Sequence, residues 1–136
     1  LYASADYLTE RGHPETLNAF SNHRLICQNP SAPQVAVSAT LVQKLISYKP
    51  KSTLTVNNYF GVLQGVINNL GIGVLPDYVT HDFPQLVRVL PEIENAEVPV
   101  FLAYPEELRH SRRIAAFRDF VQDEIIARRR AEREQR

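Results

Sequence analysis

The sequence predicts an α/β domain with a largely parallel sheet, because strand-like apolar runs alternate with helix-spaced apolar residues along most of its 136 positions. The clearest unit is TVNNYFGVLQGVINNLGIGVLPDYV, residues 55–79, in which a strand, a helix and a strand follow with almost no loop. A hydrophobic content of 44% beside 22% charged residues is ordinary for a globular protein. A chain of this length forms one domain or two small lobes.

The first half of the chain contains recognisable helix and strand boundaries. In chain order we expect a strand at LYA, a helix at ADYLTERG, one or two helical turns at PETLNAFSNH, a strand at RLICQ, a loop at NPSAP, and a helix from about 38 to 48. Ser4 can cap the first helix and Gly12 can end it. Leu17 and Phe20 are expected to point inward. The helix at 38–48 is ambiguous, because its entry VAVSATLV alternates like a strand.

The second half of the chain repeats the alternation. We expect a strand at STLTVN, a helix at about 58–69, a strand at IGVLP, a strand at LVRVL, a polar connector at ENAEVP, a strand at VFLAY, and a final helix capped by Ser111. The helix at 58–69 is predicted from the apolar spacing of Phe60, Leu63, Ile67 and Leu70. We expect Gly71 to supply its left-handed end.

The final helix carries one apolar stripe and ends in a basic segment. Its stripe members are Ile114, Phe117, Phe120, Val121 and Ile125. The last residues read RRRAEREQR, although the formal net charge of the whole chain is zero. We interpret this segment as a solvated helix end rather than a phosphate-binding tail, because arginine favours the negative pole of a helix. The rest of the chain shows no basic face for nucleic acid.

The titratable residues do not assemble a catalytic or metal-binding pattern. The four histidines, His13, His23, His81 and His110, are not paired at helical spacing, and the single cysteine cannot form a ligand cluster. Cys27 lies among apolar neighbours, which predicts a buried structural thiol. This cysteine usage fits a reducing, cytoplasmic setting. We expect no metal and no cofactor.

The common catalytic motifs are also missing. LGIGVLP contains two glycines, but they follow a helix and open a strand, which is the reverse of a dinucleotide-binding motif. No serine stands in a G-x-S-x-G turn. The adjacent carboxylates of PEE at 105–107 are expected in a solvated loop. We therefore expect a protein that is not an enzyme, and a small hydrolase or transferase is the alternative that an activity screen would reveal.

A binding site is better supported than catalysis. In open α/β sheets, ligands bind at the carboxyl ends of strands, where helix N-termini converge. The candidate positions are Ser4, Gln28, Asn57 and Asn58. Uncharged hydrogen-bonding side chains beside helix amides suit a small polar or carboxylate-bearing ligand. Helix capping is the alternative role for these residues. We favour capping for Ser4 and Asn58, whereas for Asn57 capping and ligand binding are equally expected.

Four segments together resemble the C-terminal part of LysR-type transcriptional regulators. In order they are LYASADYLTERGHPETLNAFSNHRLI, LTVNNYFGVLQGVINNLGIGVLPDYV, LVRVLP and VPVFLAYPEELRHSRRIAAFRDFVQDEI. The second segment is the most specific, since it combines a polar residue after a strand, a helix, L-G-[IL]-G, a strand and a proline. The resemblance covers about residues 1–127.

This resemblance implies an effector-sensing domain with the two-lobed fold of periplasmic binding proteins. It implies that residues 1–97 form the second lobe, that 98–127 form the last strand and helix of the first lobe, and that 128–136 are an arginine-rich tail. Asn57 matches the polar strand-end residue that faces the effector, and Gln28 or Asn29 matches the preceding loop. Because the chain opens directly on the apolar LYAS, we interpret it as a piece of a longer protein, truncated on its N-terminal side.

The resemblance also implies partners. A small-molecule effector and self-association as a dimer or tetramer are expected, with DNA contacted only through an N-terminal winged helix-turn-helix domain missing from this sequence, and with no membrane. The apolar stripe of the final helix is a further physical reason to expect self-association. A free-standing solute-binding protein of the same fold is the alternative. The identity of the effector does not follow from the residues.

Overall fold

The computed structural model describes residues 1–31, 36–93 and 101–134. The chain divides into two compact units, Leu1–Val98 and Pro99–Arg136. The elements of the first unit are β1 (Tyr2–Ser4), α1 (Ala5–Arg11), a 3₁₀ helix (Leu17–Asn22), β2 (Arg24–Gln28), α2 (Ala36–Ser47), β3 (Ser52–Val56), α3 (Tyr59–Ile67), β4 (Ile72–Gly73), α4 (Asp77–Thr80) and β5 (Leu86–Arg88). The second unit contains a 3₁₀ helix (Glu106–Leu108) and α5 (Arg112–Glu134).

Most predicted elements of the first unit are confirmed. The strands at RLICQ, STLTV and LVR and the helices α1, α2 and α3 lie where the sequence patterns placed them. Ser4 caps α1, since its side chain accepts from the Tyr7 N–H, and Gly12 follows the last turn with φ of 83°. The short helix α4 was not predicted. The expected connector ENAEVP and part of the NPSAP loop lie outside the described residues.

The sheet is mixed, with strand order β3-β2-β4-β1-β5. β2 pairs in parallel with both β3 and β4, whereas β1 pairs antiparallel with β4 and with β5. Four strands therefore run in one direction and β1 runs against them. The predicted α/β class is confirmed at this level, and the expectation of a largely parallel sheet needs correcting at β1. The assignment of lobes stays a prediction.

Apolar side chains are buried on both faces of the sheet. One core cluster joins α1, α2 and the first 3₁₀ helix to the sheet through Tyr7, Phe20, Leu25, Leu45 and Ile72, each at most 2% exposed. The other cluster lies under α3 and contains Tyr2, Ile26, Val62, Leu63, Val66 and Leu75. Alternate residues of β2 enter the two clusters, as the period of two in a strand requires. The first unit thus has a helix-covered core on each side of its sheet.

The buried face of α3 differs from the predicted stripe. Val62 and Val66 are fully buried and Leu63 is 3% exposed, whereas Phe60 is 60% exposed. α3 packs closely on the sheet because Gly73 has no side chain: a Cβ there would stand 2.5 Å from Val66 Cγ2. The valines therefore take the inner positions, and the larger Phe60 is left outside. Phe60 and Leu70, two of the four residues whose spacing predicted this helix, are thus exposed and do not belong to its packed face.

The left-handed end of α3 is supplied by Asn69, not by Gly71. Asn69 has φ of 62°, and the Leu70 N–H donates to the Gly65 carbonyl at 3.0 Å. This is the hydrogen-bond pattern of a helix end with a left-handed residue, a position that asparagine tolerates. Gly71 is required for another reason, since a Cβ there would lie 2.5 Å from the Arg24 carbonyl oxygen. The prediction for Gly71 is therefore corrected.

The second unit is exposed along most of its length. Residues 101–104, predicted as part of a strand at VFLAY, lie in no strand, and Phe101 is 84% exposed. A strand needs a neighbour for its backbone hydrogen bonds, and in the described residues none pairs with this segment. α5 begins after Ser111 as predicted and continues through the arginine-rich end to Glu134. Its stripe residues Phe117 and Phe120 are 53% and 61% exposed.

No described helix is both long enough and apolar enough to span a membrane.

Candidate functional site

The carboxyl ends of β2 and β3 lie side by side at one edge of the sheet. Gln28 and Val56 are register partners and are the last residues of their strands. Asn57 and Asn58 follow Val56 directly, and Asn29 follows Gln28. The structure thus brings together four of the five residues that the sequence singled out, at the point where α3 begins. We call this edge, with the residues that end or follow β2, β3, β4 and β5, the carboxyl edge.

Asn58 caps α3. Its Oδ1 accepts a hydrogen bond from the Gly61 N–H at 2.8 Å, and its backbone is extended, as an N-cap requires. Its Nδ2 donates to Asn57 Oδ1 at 2.9 Å. Both polar atoms of the Asn58 side chain therefore have partners within the chain. Asn58 therefore caps the N-terminus of α3 and orients the side chain of Asn57.

Asn57 is exposed and is oriented by Asn58 through that 2.9 Å bond. Since Asn57 Oδ1 accepts from Asn58, the amide nitrogen of Asn57 is the part of the side chain left to donate outward. Gln28 is half-buried next to it. Asn29 is exposed, and its Oδ1 accepts from the Ser31 N–H at 3.0 Å in a local turn. Asn57 and Gln28 therefore present polar side-chain groups at the carboxyl edge.

Ser4 lies at the opposite edge of the sheet. Because β1 runs antiparallel to β4, the end of β1 meets the start of β4, next to the start of β2. Ser4 is 2% exposed, and its hydroxyl donates to Asn69 Oδ1 at 2.5 Å while accepting from the Tyr7 N–H at 3.2 Å. The expectation that Ser4 shares an edge with Gln28 and Asn57 is wrong, since that expectation assumed a parallel β1.

Three further polar residues meet near the carboxyl edge and were missed from the sequence. The Tyr2 hydroxyl donates to Asp77 Oδ1 at 2.8 Å, and Arg88 Nη1 lies 3.7 Å from Asp77 Oδ2. Tyr2 and Arg88 are register partners on neighbouring strands, and Asp77 opens α4. Burial raises the pKa of Tyr2, so its hydroxyl stays protonated and donates. Tyr2 lies 75 residues from Asp77 in the chain, and the antiparallel placement of β1 brings it to Asp77 and Arg88.

The described residues include no group of three histidine, cysteine, aspartate or glutamate side chains that could hold a metal ion. Cys27 is fully buried, as expected, and burial raises the pKa of its thiol. His23 is also buried, with its Nδ1 3.3 Å from the Tyr7 hydroxyl. These two groups lie in the core and not at the carboxyl edge. The chemistry at that edge is hydrogen bonding by amides, together with the ion pair of Arg88 and Asp77.

A mixed α/β unit with amide side chains at its strand ends is typical of a domain that binds small ligands. Residues 1–125 match the family described as the LysR substrate binding domain. The chain belongs to this family.

Two curated relatives are similar to the chain. An uncharacterized HTH-type transcriptional regulator of Haemophilus influenzae is 25% identical over 111 residues, which cover 79% of this chain and 38% of that protein. The uncharacterized HTH-type transcriptional regulator YhjC of Escherichia coli K12 is 25% identical over 124 residues, covering 88% of this chain and 42% of that protein. The chain thus spans about two-fifths of the length of these relatives. No solved structure matches it significantly.

Both relatives are named as transcriptional regulators, and the family is that of a substrate binding domain.

Proposed function

We propose that this chain is the effector-sensing part of a DNA-binding transcription regulator, and that it binds a small polar or carboxylate-bearing molecule at the carboxyl edge. The observation that carries the proposal is the register of Gln28 with Val56, which places Gln28 beside Asn57 at the start of α3. Two amide side chains and the N-terminal N–H groups of a helix offer donors to a polar ligand. The edge forms one wall of a two-lobed cleft.

The ligand acts by changing the balance between conformations. An effector that binds the closed form of the cleft more tightly shifts the population toward it, by as much as its affinities differ. Closure, or the change in subunit packing that goes with it, alters the spacing of the DNA-binding helices in a dimer or tetramer. DNA is contacted by an N-terminal winged helix-turn-helix domain and not by the residues described above.

The substitution Asn57→Leu tests this proposal in a regulator that carries this chain together with its DNA-binding domain. It removes an exposed amide, so we expect the effector concentration for half-maximal reporter response to rise about tenfold, the effect of one lost hydrogen bond of about 1–1.5 kcal/mol. Asn68→Leu is the matched control, because Asn68 is an exposed asparagine at the far end of α3. An unchanged response in the Asn57 variant removes this residue from the site.

The coding sequence upstream of Leu1 separates this proposal from the free-standing solute binder. A helix-turn-helix domain encoded there supports the regulator. A secretory signal peptide would favour a protein that binds solutes outside the cytoplasm.

We also propose that the chain self-associates through α5. Phe117, Phe120, Ile125 and Ile126 are each between 42% and 61% exposed, which is unusual for large apolar side chains on one helix. Burying them against a second copy would remove this surface from water. Sedimentation velocity should show a dimer or tetramer, and Phe117→Ser with Phe120→Ser should shift the population to monomer. A wild-type chain that sediments only as a compact monomer contradicts the proposal.

A further inference from the structure

We infer that the guanidinium of Arg88 binds a carboxylate group of the ligand. When no ligand is bound, Asp77 is the ion-pair partner of this guanidinium. The inference deepens the proposed function and rests on it, since it assigns a ligand class to the same carboxyl edge. The inference predicts that the ligand is a small organic anion and not a neutral polar molecule.

The position of Arg88 follows from the strand register. Arg88 is the last residue of β5, it is paired with Tyr2, and it shares a sheet face with Leu86, which packs in the cluster under α3. From there the guanidinium extends to Asp77, which follows β4 by a few residues. β5, which carries Arg88, lies four places from β3 in the sheet, and neighbouring strands are about 4.8 Å apart, so the backbones of Arg88 and Asn57 stand on the order of 19 Å apart. The arginine side chain shortens this separation by reaching toward Asp77.

The pairing of Arg88 with Asp77 is loose. The nitrogen–oxygen distance of 3.7 Å exceeds that of a hydrogen bond, and the two side chains are 34% and 51% exposed. Half-exposed pairs of this kind contribute little to stability, because water screens both charges. The guanidinium can therefore exchange Asp77 for another carboxylate at low cost.

Asp77 itself is held in place. Its Oδ1 accepts a hydrogen bond of 2.8 Å from the Tyr2 hydroxyl, which burial keeps protonated. The carboxylate is thus fixed from the β1 side, while the longer arginine side chain reaches it from β5. In such a pair the arginine is the partner that can turn toward an incoming ligand, where it can bind a carboxylate with two parallel hydrogen bonds.

The charged side chains described at this edge are of both signs, and they include a single cation. Among the described residues that end or directly follow β2, β3, β4 and β5, Arg88 is the sole cationic side chain. Those residues are 28–31, 57–58, 74–77 and 88–93. The remaining ligand-facing groups are the uncharged amides of Gln28 and Asn57. An anion at this edge can therefore pair with the Arg88 guanidinium, whereas a neutral ligand gains no charge interaction from it.

The experiment titrates the full 136-residue chain with succinate, glutarate and salicylate, and with the corresponding amides succinamide, glutaramide and salicylamide. The readout is the backbone amide resonances of Gln28, Asn57 and Asp77, which every variant retains. The side-chain Nε–H resonance of Arg88, assigned by its loss in Arg88→Gln, is followed in the chains that keep this arginine. We expect saturable shifts with at least one carboxylate below 20 mM and at least tenfold weaker binding of its amide. Arg88→Gln should weaken carboxylate binding about tenfold or more, to the level of the amide.

Two further variants make the test specific. Asp77→Asn keeps an acceptor for the Tyr2 hydroxyl but removes the competing charge, so carboxylate affinity should rise several-fold. Arg88→Lys keeps the charge without the fork of donors and should bind carboxylates with intermediate affinity. Arg11→Gln is the control, because Arg11 is similarly exposed and paired with an acid, Glu10, on a helix that packs against the other sheet face. It should leave every affinity unchanged.

The outcomes separate this inference from the proposed function. The inference is overturned if carboxylates and amides bind equally well, or if no saturable shift occurs up to 20 mM. It is also overturned if Arg88→Gln keeps the wild-type preference for carboxylates over amides. Asn57→Leu should weaken carboxylates and amides alike. If Asn57→Leu weakens binding and Arg88→Gln does not, the edge binds ligands without Arg88 as its anchor. If only Arg88→Gln has an effect, the Asn57 end of the proposed site is wrong.

Discussion

The Ser4 hydroxyl donates a hydrogen bond of 2.5 Å to Asn69 Oδ1 and thereby joins the start of α1 to the left-handed residue after α3. The same hydroxyl accepts from the Tyr7 N–H and caps α1. One buried side chain therefore fixes two helix ends at the edge of the sheet opposite to the candidate site. This contact gives Asn69 a structural role and removes Ser4 from the set of ligand-facing residues.

Ser4→Ala should destabilise the first unit by about 1–2 kcal/mol, because it removes the cap of α1 and leaves Asn69 Oδ1 without its donor. Urea unfolding measures this change. Ser21→Ala is the control: Ser21 is exposed, bonds only to a local carbonyl, and should cost less than about 0.5 kcal/mol. Equal stability of the Ser4 variant and the wild type would contradict the assigned role.

Gly73→Ala should destabilise by about 1–3 kcal/mol, because the new Cβ would lie 2.5 Å from Val66 Cγ2 and 2.8 Å from Val62 Cγ1. The double variant Gly73→Ala with Val66→Ala opens space for the added methyl group. We expect its free energy of unfolding to exceed the value obtained by adding the two single effects. Strict additivity in this cycle would show that α3 lies farther from β4 than described.

Asn58→Ala should cost about 1 kcal/mol in unfolding free energy, since the Gly61 N–H loses its acceptor at the start of α3. Asn58→Asp should retain most of the stability, because aspartate caps equally well and its charge favours a helix N-terminus. Asn57→Leu should change stability by less than about 0.5 kcal/mol, as expected for an exposed side chain. A large loss of stability in the Asn57 variant would assign that residue to folding and not to binding.

His23 should make the first unit less stable as the pH falls. Burial lowers its pKa below the ordinary value of 6.5, because water cannot reach the charged imidazolium. As the pH drops through 6.5, the unfolded chain takes up a proton and the folded chain does not, so the free energy of unfolding decreases. Urea unfolding at pH 7.5 and pH 5.5 measures this difference.

His23→Gln should reduce that pH dependence even if the variant is less stable overall. The exposed His13 provides the control, and His13→Gln should keep the wild-type slope. An identical slope in the wild type and the His23 variant would show that another group titrates in this range.

Local pattern predicted much of the first unit and could not predict its long-range pairing. The strand at RLICQ and the capping by Ser4 and Asn58 follow from neighbouring residues and were expected. The direction of β1 depends on contacts about 70 and 85 residues away, with Gly73 and Arg88, which no local pattern reveals. Because β1 was expected to run parallel to its neighbours, Ser4 was predicted at the wrong edge of the sheet. For the same reason the contact of Tyr2 with Asp77 and Arg88 was not predicted.

Two other differences have local physical causes. Gly71 is the usual residue to end a helix, but the chain turns two residues earlier because asparagine also tolerates positive φ. The apolar segment at 101–104 has the composition of a buried strand, yet composition does not supply a pairing partner. For the candidate site, the amides at Gln28, Asn29, Asn57 and Asn58 were predicted and brought together, whereas their role in ligand binding stays a prediction.

The close fit of α3 on the sheet has a mechanical consequence. Asn57 is tied to Asn58, Asn58 to the first turn of α3, and α3 to β4 with no spare space at Gly73. Because these contacts leave no gap between the start of α3 and β4, a displacement of the Asn57 amide should move the helix and the strand together. A small displacement of the Asn57 side chain should therefore reach the sheet through α3 rather than be absorbed at the start of the helix.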